Sequence, residues 1–240
     1  MADPVIRTLR LTKSYGRSRG IIEVDLEIPH GEVFGYLGPN GAGKSTTIRT
    51  LLDLIRPTSG RAELFGLDSH RDSLAIRRRV GYVPGELSLY DSLSGREMVR
   101  YFGGLRGGVD ERRVRELADR LECDLSRETR TLSHGNRQKV ALLQAFMHDP
   151  ELLILDEPTN GLDPLAQQAF QALIADAHRQ GATVFLSSHV MSEVERLCDR
   201  VAIIREGRLV AVERVDALKA RALASEEQLK SFNAQLEQRV

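Results

Sequence analysis

One stretch of the chain matches G-x-x-x-x-G-K-[ST], the pattern of the phosphate-binding loops known as Walker A. The matching residues are Gly38, Pro39, Asn40, Gly41, Ala42, Gly43, Lys44 and Ser45, and Thr46 follows them. Glycines allow the backbone to turn tightly around an anion and to point several N–H groups at it. Lys44 adds a positive charge for the outer phosphates, and Ser45 offers a hydroxyl to Mg²⁺. The sequence therefore predicts a site for a nucleoside triphosphate and its Mg²⁺ ion.

A pair of acids follows an apolar run at residues 152–155. Ligands gather at the carboxyl ends of strands in open α/β sheets, which is where Asp156 and Glu157 would stand. Asp156 can hold Mg²⁺ through a water molecule, and Glu157 can polarise a water for in-line attack on the γ-phosphate. Two acids after a strand also occur in polar turns without any catalytic function. The presence of the phosphate loop favours the catalytic interpretation.

The elements around these residues predict an α/β fold with a P-loop core and a mostly parallel sheet. A buried strand at Val33–Leu37 precedes the phosphate loop, and a helix at 46–55 follows it and stops before Pro57. The continuous apolar runs at 152–155 and 183–186 are typical of strands that are covered on both faces. The phosphate loop thus has the strand–loop–helix setting that its chemistry requires.

Other segments predict an antiparallel part and a helical lobe. The runs at 5–11 and 21–28 indicate strands of an N-terminal antiparallel sheet. The second run should turn four residues toward the core: Ile22, Val24, Leu26 and Ile28. Glu206 and Gly207, between two apolar runs, indicate a hairpin. The stretch 87–131 lacks β-branched runs and predicts an inserted helical subdomain.

These patterns divide the chain into three parts. We expect the α/β core at 1–86 and 132–215, the helical subdomain at 87–131 and a helical tail at 216–240. Residues 225–228 form a capping-box pattern at the start of the tail's last helix. Its apolar face consists of Leu229, Phe232, Leu236 and Val240. That face could cover the protein's own body, a partner or a membrane surface.

Composition excludes several classes of protein. The chain has 240 residues, and its 34 Lys+Arg balance its 34 Asp+Glu, so no basic footprint points to nucleic acid. Its two cysteines, Cys123 and Cys198, stand far apart and are expected to be reduced thiols. No apolar run approaches the ~20 residues that a membrane span needs, and the N-terminus lacks the order of a signal peptide. We expect another subunit to supply any membrane span.

Several motifs together resemble the ATP-binding subunits of ATP-binding cassette (ABC) transporters, over residues 5–215. In chain order they are Walker A at 38–45, LSHGN at 132–136 where the family signature begins LSGGQ, Walker B at 152–156, the D-loop NGLD at 160–163 and SSH with the switch histidine at 187–189. In that family two cassettes pair head to tail, and each ATP lies between Walker A of one and the signature of the other. The resemblance therefore implies ATP and Mg²⁺ as cofactors and a second nucleotide-binding domain as a partner.

The resemblance also assigns roles to single residues. It implies that Ser133, the N–H groups around Gly135, and Asp163 of the D-loop contribute to the nucleotide site across the dimer. Judged from the sequence alone, Ser133 is the N-cap of a helix, and the two roles are compatible.

Two further roles concern the adenine and the γ-phosphate. Tyr15 takes the position of the aromatic residue that stacks on adenine, although by residue type it is only a tyrosine in a polar turn. His189 is implied to sense the γ-phosphate and to hold Glu157. The expected catalytic set therefore consists of Glu157, His189 and Lys44.

The loop between core and helical subdomain departs from the family pattern. The family has Gln after Pro84, where it helps to ligate Mg²⁺, and this chain has Gly85 followed by Glu86. Glycine carries no ligand, and Glu86 is a possible substitute as an oxygen donor. On this view, a Gly85→Gln change would strengthen a weakened metal site and raise the rate.

The signature also departs, with His134 and Asn136 where Gly and Gln are usual. Ser133 and Gly135 remain, so we expect ATP binding with slow but real hydrolysis.

Taken together, the sequence predicts an ATP-hydrolysing subunit that drives a separate transmembrane permease. The run LDEPTNGLDP resembles bacterial exporters of drugs, antibiotics or lipids. Such a subunit would be cytoplasmic and peripheral on the inner face of the membrane. Two alternatives stay open: a soluble ATP-driven switch on ribosomes or nucleic acid, and a degenerate cassette that binds ATP as a clamp.

Overall fold

The computed structural model describes residues 4–16 and 18–221, and the predicted tail helix at 225–240 lies outside them. The strands are β1 (Ile6–Tyr15), β2 (Ser18–Ile28), β3 (Val33–Leu37), β4 (Ser59–Leu64), β5 (Leu67–Asp68), β6 (Val80–Val83), β7 (Leu152–Asp156), β8 (Thr183–Ser188), β9 (Arg200–Arg205) and β10 (Arg208–Arg214). The helices are α1 (Lys44–Leu51), α2 (Ser73–Arg79), α3 (Gly95–Gly104), α4 (Glu111–Arg120), α5 (His134–Phe146), α6 (Pro164–Arg179) and α7 (Met191–Leu197), with a 3-10 turn at Thr129–Thr131. Residues 215–221 are also helical.

Two sheets form the body, as the sequence predicts. The larger has the order β10-β9-β3-β8-β7-β6, in which β9, β3, β8, β7 and β6 run parallel and β10 pairs antiparallel to β9. The smaller is antiparallel, with the order β2-β1-β4-β5. The α/β fold class is therefore confirmed, including the N-terminal antiparallel part.

Side chains of the central strands alternate between two apolar clusters. On β8, Phe185 faces the cluster shared with the antiparallel sheet and α1, whereas Val184 and Leu186 face α5 and α6. Every residue of β7 and β8 is buried, because the sheet is covered on both faces. This explains the continuous apolar runs within both strands, at 152–155 and 184–186.

The predicted helical subdomain holds α3 and α4. Ser94 caps α3 in a reciprocal capping box with Glu97, and the side chain of Asp110 caps α4. Val99 and Leu117 belong to the same apolar cluster as β7 and α5, so the subdomain shares its core with the α/β body. The exact boundaries of the three predicted parts remain a prediction.

The hairpin predicted at Glu206 and Gly207 joins β9 to β10. Both residues have positive φ angles, 52° and 79°, as a tight two-residue hairpin turn requires. Gly207 accepts a hydrogen bond from Ile22 N–H at 2.7 Å and donates one to the Ala42 carbonyl at 2.9 Å. The turn therefore connects the antiparallel sheet to the phosphate loop.

The expectation for Ile22 was wrong. Ile21 is fully buried and Ile22 is exposed, whereas Val24, Leu26 and Ile28 are buried as expected. Glu23 has a positive φ of 49°, and the β1–β2 register shifts nearby. A bulge of this kind reverses the alternation on its N-terminal side, which the residue pattern alone does not reveal.

Two element boundaries also differ from the sequence-based expectation. Tyr15 is the last residue of β1 and not part of a turn, although Gly16 directly after it has a positive φ of 71°. Helix α1 ends at Leu51 and not near residue 55, because Asp53 adopts a positive φ of 53° that stops the helix.

Two further findings concern the membrane and the cysteines. No helix among the described residues combines the length and the apolar character that a bilayer crossing requires. Cys123 and Cys198 are both free, and burial raises the pKa of the Cys123 thiol to about 11. That thiol is therefore neutral at physiological pH.

The close packing of β6 on α5 gives a test of the fold. A Cβ on Gly81 would lie 2.2 Å from the Ala145 carbonyl oxygen, so Gly81→Ala should lower the free energy of unfolding by about 1–3 kcal/mol. Gly104, the exposed last residue of α3, is the matched control, because a Cβ there meets no atom within 4 Å. Gly104→Ala should be neutral or slightly stabilising. Urea denaturation of both variants measures the difference, and equal stabilities would contradict this packing.

Candidate functional site

The site lies where three adjacent parallel strands end. Strands β3, β8 and β7 are neighbours in the sheet, and their pairing aligns Leu37 with Ser188 and Asp156 with Ser187. The phosphate loop follows β3, His189 follows β8, and Asp156 and Glu157 stand at the end of β7. Sheet topology therefore brings together residues that are more than 100 positions apart in the sequence.

The phosphate loop is shaped for an anion. Gly41 and Gly43 have positive φ angles of 77° and 112°, and a Cβ on Gly43 would lie 2.8 Å from Ile21 Cγ2. Gly43 is also the N-cap of α1, and no side chain of the described chain caps this helix. The N–H groups of the first turn and the positive end of the helix dipole therefore face the loop, where a phosphate is favoured.

Lys44 occupies the centre of the site. Its side chain is only 6% exposed, and its Nζ donates to the Gly38 carbonyl at 2.6 Å and to the Pro39 carbonyl at 3.3 Å. Nζ also lies 3.0 Å from Glu157 Oε1. This ion pair balances the buried ammonium, and the loop carbonyls fix its position. A phosphate bound in the loop would meet a preoriented positive charge.

Asp156 is 1% exposed and is held by its neighbours. Ser187 Oγ donates a short hydrogen bond to Asp156 Oδ1. Gly85 packs against the other oxygen, since a Cβ on Gly85 would lie 2.9 Å from Asp156 Oδ2. Burial, and then the Asp156 charge, raises the pKa of the Tyr82 hydroxyl to about 12. The carboxylate is thus fixed in a narrow space between β8 and the loop after β6.

Glu157 adopts an unusual backbone conformation, with a positive φ of 50°. Its N–H donates to the carbonyl and to the hydroxyl of Ser187, at 3.2 Å in each case. Its Oε2 lies 2.7 Å from His189 Nδ1. The carboxylate therefore lies between the Lys44 ammonium and the His189 ring. Backbone strain of this kind is retained where the surroundings fix it, and it is common at functional sites.

The residues predicted to hold Mg²⁺ have the chemistry that this ion prefers. Mg²⁺ takes hard oxygen ligands, and the site offers the Asp156 carboxylate and the Ser45 hydroxyl, which makes no hydrogen bond within the described chain. Glu86 is different, since its side chain is 93% exposed and lies 3.9 Å from Arg49. No contact joins Glu86 to Ser45 or Asp156 among the described residues.

Two more residues, Tyr15 and Thr46, were predicted to bind the nucleotide. The Tyr15 ring is 44% exposed at the end of β1, with Lys13 Nζ 5.3 Å from its centroid, and is accessible to a planar ligand. Thr46 follows Ser45 in the first turn of α1, where its carbonyl accepts from the Thr50 hydroxyl at 2.7 Å.

The signature and the D-loop contact each other within the chain. Ser133 caps α5 by accepting from Asn136 N–H at 3.3 Å, as predicted from its residue type. A Cβ on Gly135 would lie 2.5 Å from the Gly161 carbonyl oxygen, so the two backbones touch. Ser133 is exposed at this surface.

Asp163 belongs to the same surface. It caps α6 through its hydrogen bond from Ala166 N–H at 2.8 Å, and that bond, with the nearby Lys139, lowers the pKa of Asp163. No hydrogen bond joins residues 133–136 to the phosphate loop of the same described chain. The two predicted parts of the nucleotide site therefore share no hydrogen bond within the described chain.

Sequence reasoning assigned no function to Ser187. Its hydroxyl holds Asp156 and accepts from Glu157 N–H, so one fully buried side chain orients both acids. The available signal was a pair of serines at the end of an otherwise apolar strand. Nothing in the spacing connects those serines with acids about 30 residues earlier.

A family model described as "ABC transporter" matches residues 21–160, more than half of the chain. A second model, described as "AAA domain, putative AbiEii toxin, Type IV TA system", matches the shorter range 126–195.

Solved structures share the fold. A structure described as the ATP binding subunit of an ABC transporter has a TM-score of 0.83 and 32% identity, and the match covers 90% of this chain and 92% of that one. The dimeric bacterial ABC transporter cassette MJ0796 has a TM-score of 0.80 and 25% identity, over 88% of this chain and 98% of that one.

Curated proteins include close relatives. The bacitracin transport ATP-binding protein BcrA of Bacillus licheniformis is 40% identical, over 90% of this chain and 72% of BcrA. The probable multidrug ABC transporter ATP-binding protein YbhF of Escherichia coli (strain K12) is 38% identical, over 94% of this chain but only 40% of YbhF. The daunorubicin resistance ATP-binding protein DrrA3 of Streptomyces coeruleorubidus is 37% identical, over 92% of this chain and 71% of DrrA3. The chain therefore belongs to the ABC transporter family, as an ATP-binding domain with ATPase activity.

Proposed function

We propose that two cassettes bind ATP and Mg²⁺ between them, hydrolyse the ATP and thereby drive a separate membrane permease. The observation that carries this proposal is the row of contacts from Lys44 to Glu157 at 3.0 Å and from Glu157 to His189 at 2.7 Å. A positive charge for the phosphates, a general base and a residue that orients the base thus lie together at the ends of three strands.

Nucleotide binding uses the two accessible parts of the site. The Tyr15 ring stacks on the adenine, which presents a π-face to it. The N–H groups at the start of α1, from Gly43 to Thr46, and the Lys44 ammonium bind the phosphates. The γ-phosphate then competes with Glu157 for Lys44, which frees the Glu157 carboxylate to act on water.

The Mg²⁺ ion that accompanies ATP neutralises charge on the phosphate oxygens. Ser45 and Asp156 are the residues that hold it, and Ser187 keeps the Asp156 carboxylate oriented. Glu86 is a weaker candidate, because its side chain extends into solvent near Arg49.

Hydrolysis proceeds by in-line attack of water on the γ-phosphorus. The water oxygen forms a bond to phosphorus, the bond from phosphorus to the β–γ bridging oxygen breaks, and ADP leaves. Glu157 accepts the proton that the water loses. His189 keeps the Glu157 carboxylate directed toward the water through the contact between Nδ1 and Oε2.

The second cassette completes the site. Ser133 is exposed and Gly135 is half-buried at the N-terminus of α5, and no hydrogen bond joins them to the phosphate loop within the described chain. In a head-to-tail pair, this positive helix end would meet the γ-phosphate of the other copy. Asp163, which caps the adjacent α6, would lie at the same interface.

The permease is the second partner. A groove of about 500 Å³ runs between α1, α2 and β6 on one side and α3 and α5 on the other. Leu74 and Leu105, 65% and 62% exposed, line it together with Arg77, Arg78 and Arg106. Burial lowers the pKa of Arg106, and no ion pair of the described chain involves it. This groove suits a segment of the permease that carries apolar and acidic side chains.

The names of the relatives indicate the class of the transported molecule. BcrA, YbhF and DrrA3 are named for bacitracin transport, multidrug transport and daunorubicin resistance. We infer that this chain powers export of a drug, an antibiotic or a lipid-like molecule, from a position on the inner face of the cell membrane. These transport names, together with the balanced charge of the chain, disfavour a switch that acts on ribosomes or nucleic acid.

The Glu157→Gln variant tests the catalytic assignment. It should lower phosphate release by about 100-fold or more, since general-base catalysis contributes 10²–10⁴. ATP binding should be unchanged or tighter, because a negative charge near the γ-phosphate is removed. Phosphate release and binding of a fluorescent ATP analogue are measured alongside Glu195→Gln on α7 as the control. Wild-type activity in Glu157→Gln would show that the assignment is wrong, and equal background rates in both would favour the clamp.

Substitution of Ser133 separates its two roles. Asp and Asn are both good N-caps, so neither Ser133→Asp nor Ser133→Asn should change stability. In the dimer, however, the Asp carboxylate would face the γ-phosphate, where like charges cost several kcal/mol. Ser133→Asp should therefore lose ATP-dependent dimerisation in light scattering and at least about tenfold of the ATPase rate. If Ser133→Asp behaves like Ser133→Asn, the residue is a helix cap only.

The Gly85 position gives an expectation opposite to that from the family pattern. Any side chain there pushes on Asp156 Oδ2, and a cost of about 1 kcal/mol would raise the Mg²⁺ concentration for half-maximal rate about fivefold. Gly85→Ala and Gly85→Gln should both show this rise in a Mg²⁺ titration. Glu86→Gln, at an exposed position, should not. A higher rate in Gly85→Gln would contradict the steric argument, and a rise in Glu86→Gln would establish Glu86 as a ligand.

A further inference from the structure

Glu193 is a carboxylate near the site to which the nucleotide chemistry assigns no function. It lies on α7, and both of its oxygens accept hydrogen bonds from hydroxyls of other segments. Thr159 Oγ1 donates to Oε1 at 2.5 Å, and Ser188 Oγ donates to Oε2 at 2.6 Å. No contact joins Glu193 to the phosphate loop, Asp156 or Glu157 within the described chain.

The two hydroxyls belong to the loops that carry the catalytic pair. Thr159 is two residues after Glu157, and Ser188 directly precedes His189. Ser188 Oγ also accepts from Val190 N–H at 3.0 Å, so one hydroxyl closes the turn in which His189 stands. Glu193 therefore joins the Glu157 loop to the His189 loop, in addition to the direct contact between Glu157 and His189.

Burial makes this connection strong. Ser188 is fully buried and Thr159 is 8% exposed, and hydrogen bonds to a charged acceptor are about twice as strong as neutral ones. Helix α7 is itself anchored, since Val194 is fully buried against β3 and β8. Removal of the carboxylate would leave two buried hydroxyls without their acceptor.

A simpler explanation is that Glu193 only stabilises α7. An acidic residue in the first turn is favoured by the helix dipole, and Glu193 stands there. The dipole accounts for a charge at this position but not for hydrogen bonds from two different loops. A merely stabilising role and a positioning role therefore predict different results.

The same connection extends toward the signature helix. Gln138 of α5 is buried and donates from Nε2 to the Pro158 carbonyl at 2.8 Å. Pro158 lies between Glu157 and Thr159, so the Glu157 loop is held by α5 on one side and by Glu193 on the other.

We propose that Glu193 is a positioning residue for ATP hydrolysis. Its carboxylate holds the loops of Glu157 and His189 in register, so that His189 orients the catalytic carboxylate. It acts through the position of His189, which in turn orients Glu157, and it does not touch ATP. This inference rests on the proposed catalytic roles of Glu157 and His189.

The first test compares Glu193→Ala, Glu193→Gln and the control Glu195→Ala on the same helix. Displacement of the Glu157 carboxylate lowers the rate of hydrolysis steeply. The kcat of Glu193→Ala should therefore fall about 10- to 100-fold, while KM for ATP changes less than about twofold. Glu193→Gln should retain more activity, because its amide can still bond to both hydroxyls. A Glu193→Ala enzyme with normal kcat and a lower Tm would overturn the proposal.

A second test uses the residue through which Glu193 acts. In a His189→Ala background, Glu193→Ala should cause little further loss of kcat, since there is no longer a histidine to position. The proposal is overturned if the fold-losses of kcat in the two single variants multiply in the double variant. If Glu193→Ala does not fold, Thr159→Val and Ser188→Ala each remove one bond and should each lower kcat.

A third readout does not depend on ATPase activity. The Val190 N–H is protected through Ser188, so its hydrogen exchange should accelerate about tenfold in Glu193→Ala and remain unchanged in Glu195→Ala. Unchanged exchange at Val190 would overturn the inference even if the enzyme is active. Faster exchange in a protein whose rate is independent of Glu157 would instead show that the proposed catalytic function had failed while the structural connection held.

Discussion

The parallel pairing of β3, β8 and β7 is the constraint on which the site depends. Parallel strands present their carboxyl ends at one edge, and here three adjacent strands end at aligned positions. Each strand leads to one component of the site: the phosphate loop after β3, His189 after β8, or the acid pair at the end of β7. The strands can do this because they are buried on both faces, between the antiparallel sheet on one side and α5 and α6 on the other. The apolar layers therefore determine the geometry of the most polar part of the molecule.

The site also depends on a balance of opposite charges. The Lys44 ammonium is almost fully buried, which is tolerable because two loop carbonyls accept from it and Glu157 lies 3.0 Å away. The Glu157 carboxylate is in turn shared with His189. The Lys44 ammonium and the Glu157 carboxylate thus lie close together where little water reaches them, and they interact strongly. A phosphate group beside Lys44 would compete with Glu157 for the ammonium and so weaken one of the two contacts of this carboxylate.

Local residue patterns identified segments that the fold brings together, but not the side chains that hold those segments in place. Glycines, lysine and serine at Walker A spacing, and two acids after an apolar run, lie in short segments whose function follows from residue type. The fold class was likewise predictable from strand and helix periodicity. Ile22 was assigned to the wrong face because Glu23 forms a bulge. Ser187 and Glu193 were missed because their partners come from other strands and loops. Spacing along the chain carries no information about such contacts.

The segment that carries Glu157 also contacts the surface where a second cassette is proposed to bind. Gly135 of the signature touches Gly161 of the D-loop, and Gln138 of the same helix holds the Pro158 carbonyl. Only a few residues of backbone separate these contacts from Glu157. The N-terminus of α5 is therefore in contact with the segment that carries Glu157, through packed backbone and a buried hydrogen bond. Glycine at position 135 is needed for that close approach, since a Cβ would lie 2.5 Å from a carbonyl oxygen. Gly135 thus meets a packing requirement within this chain, which applies whether or not a second cassette is bound.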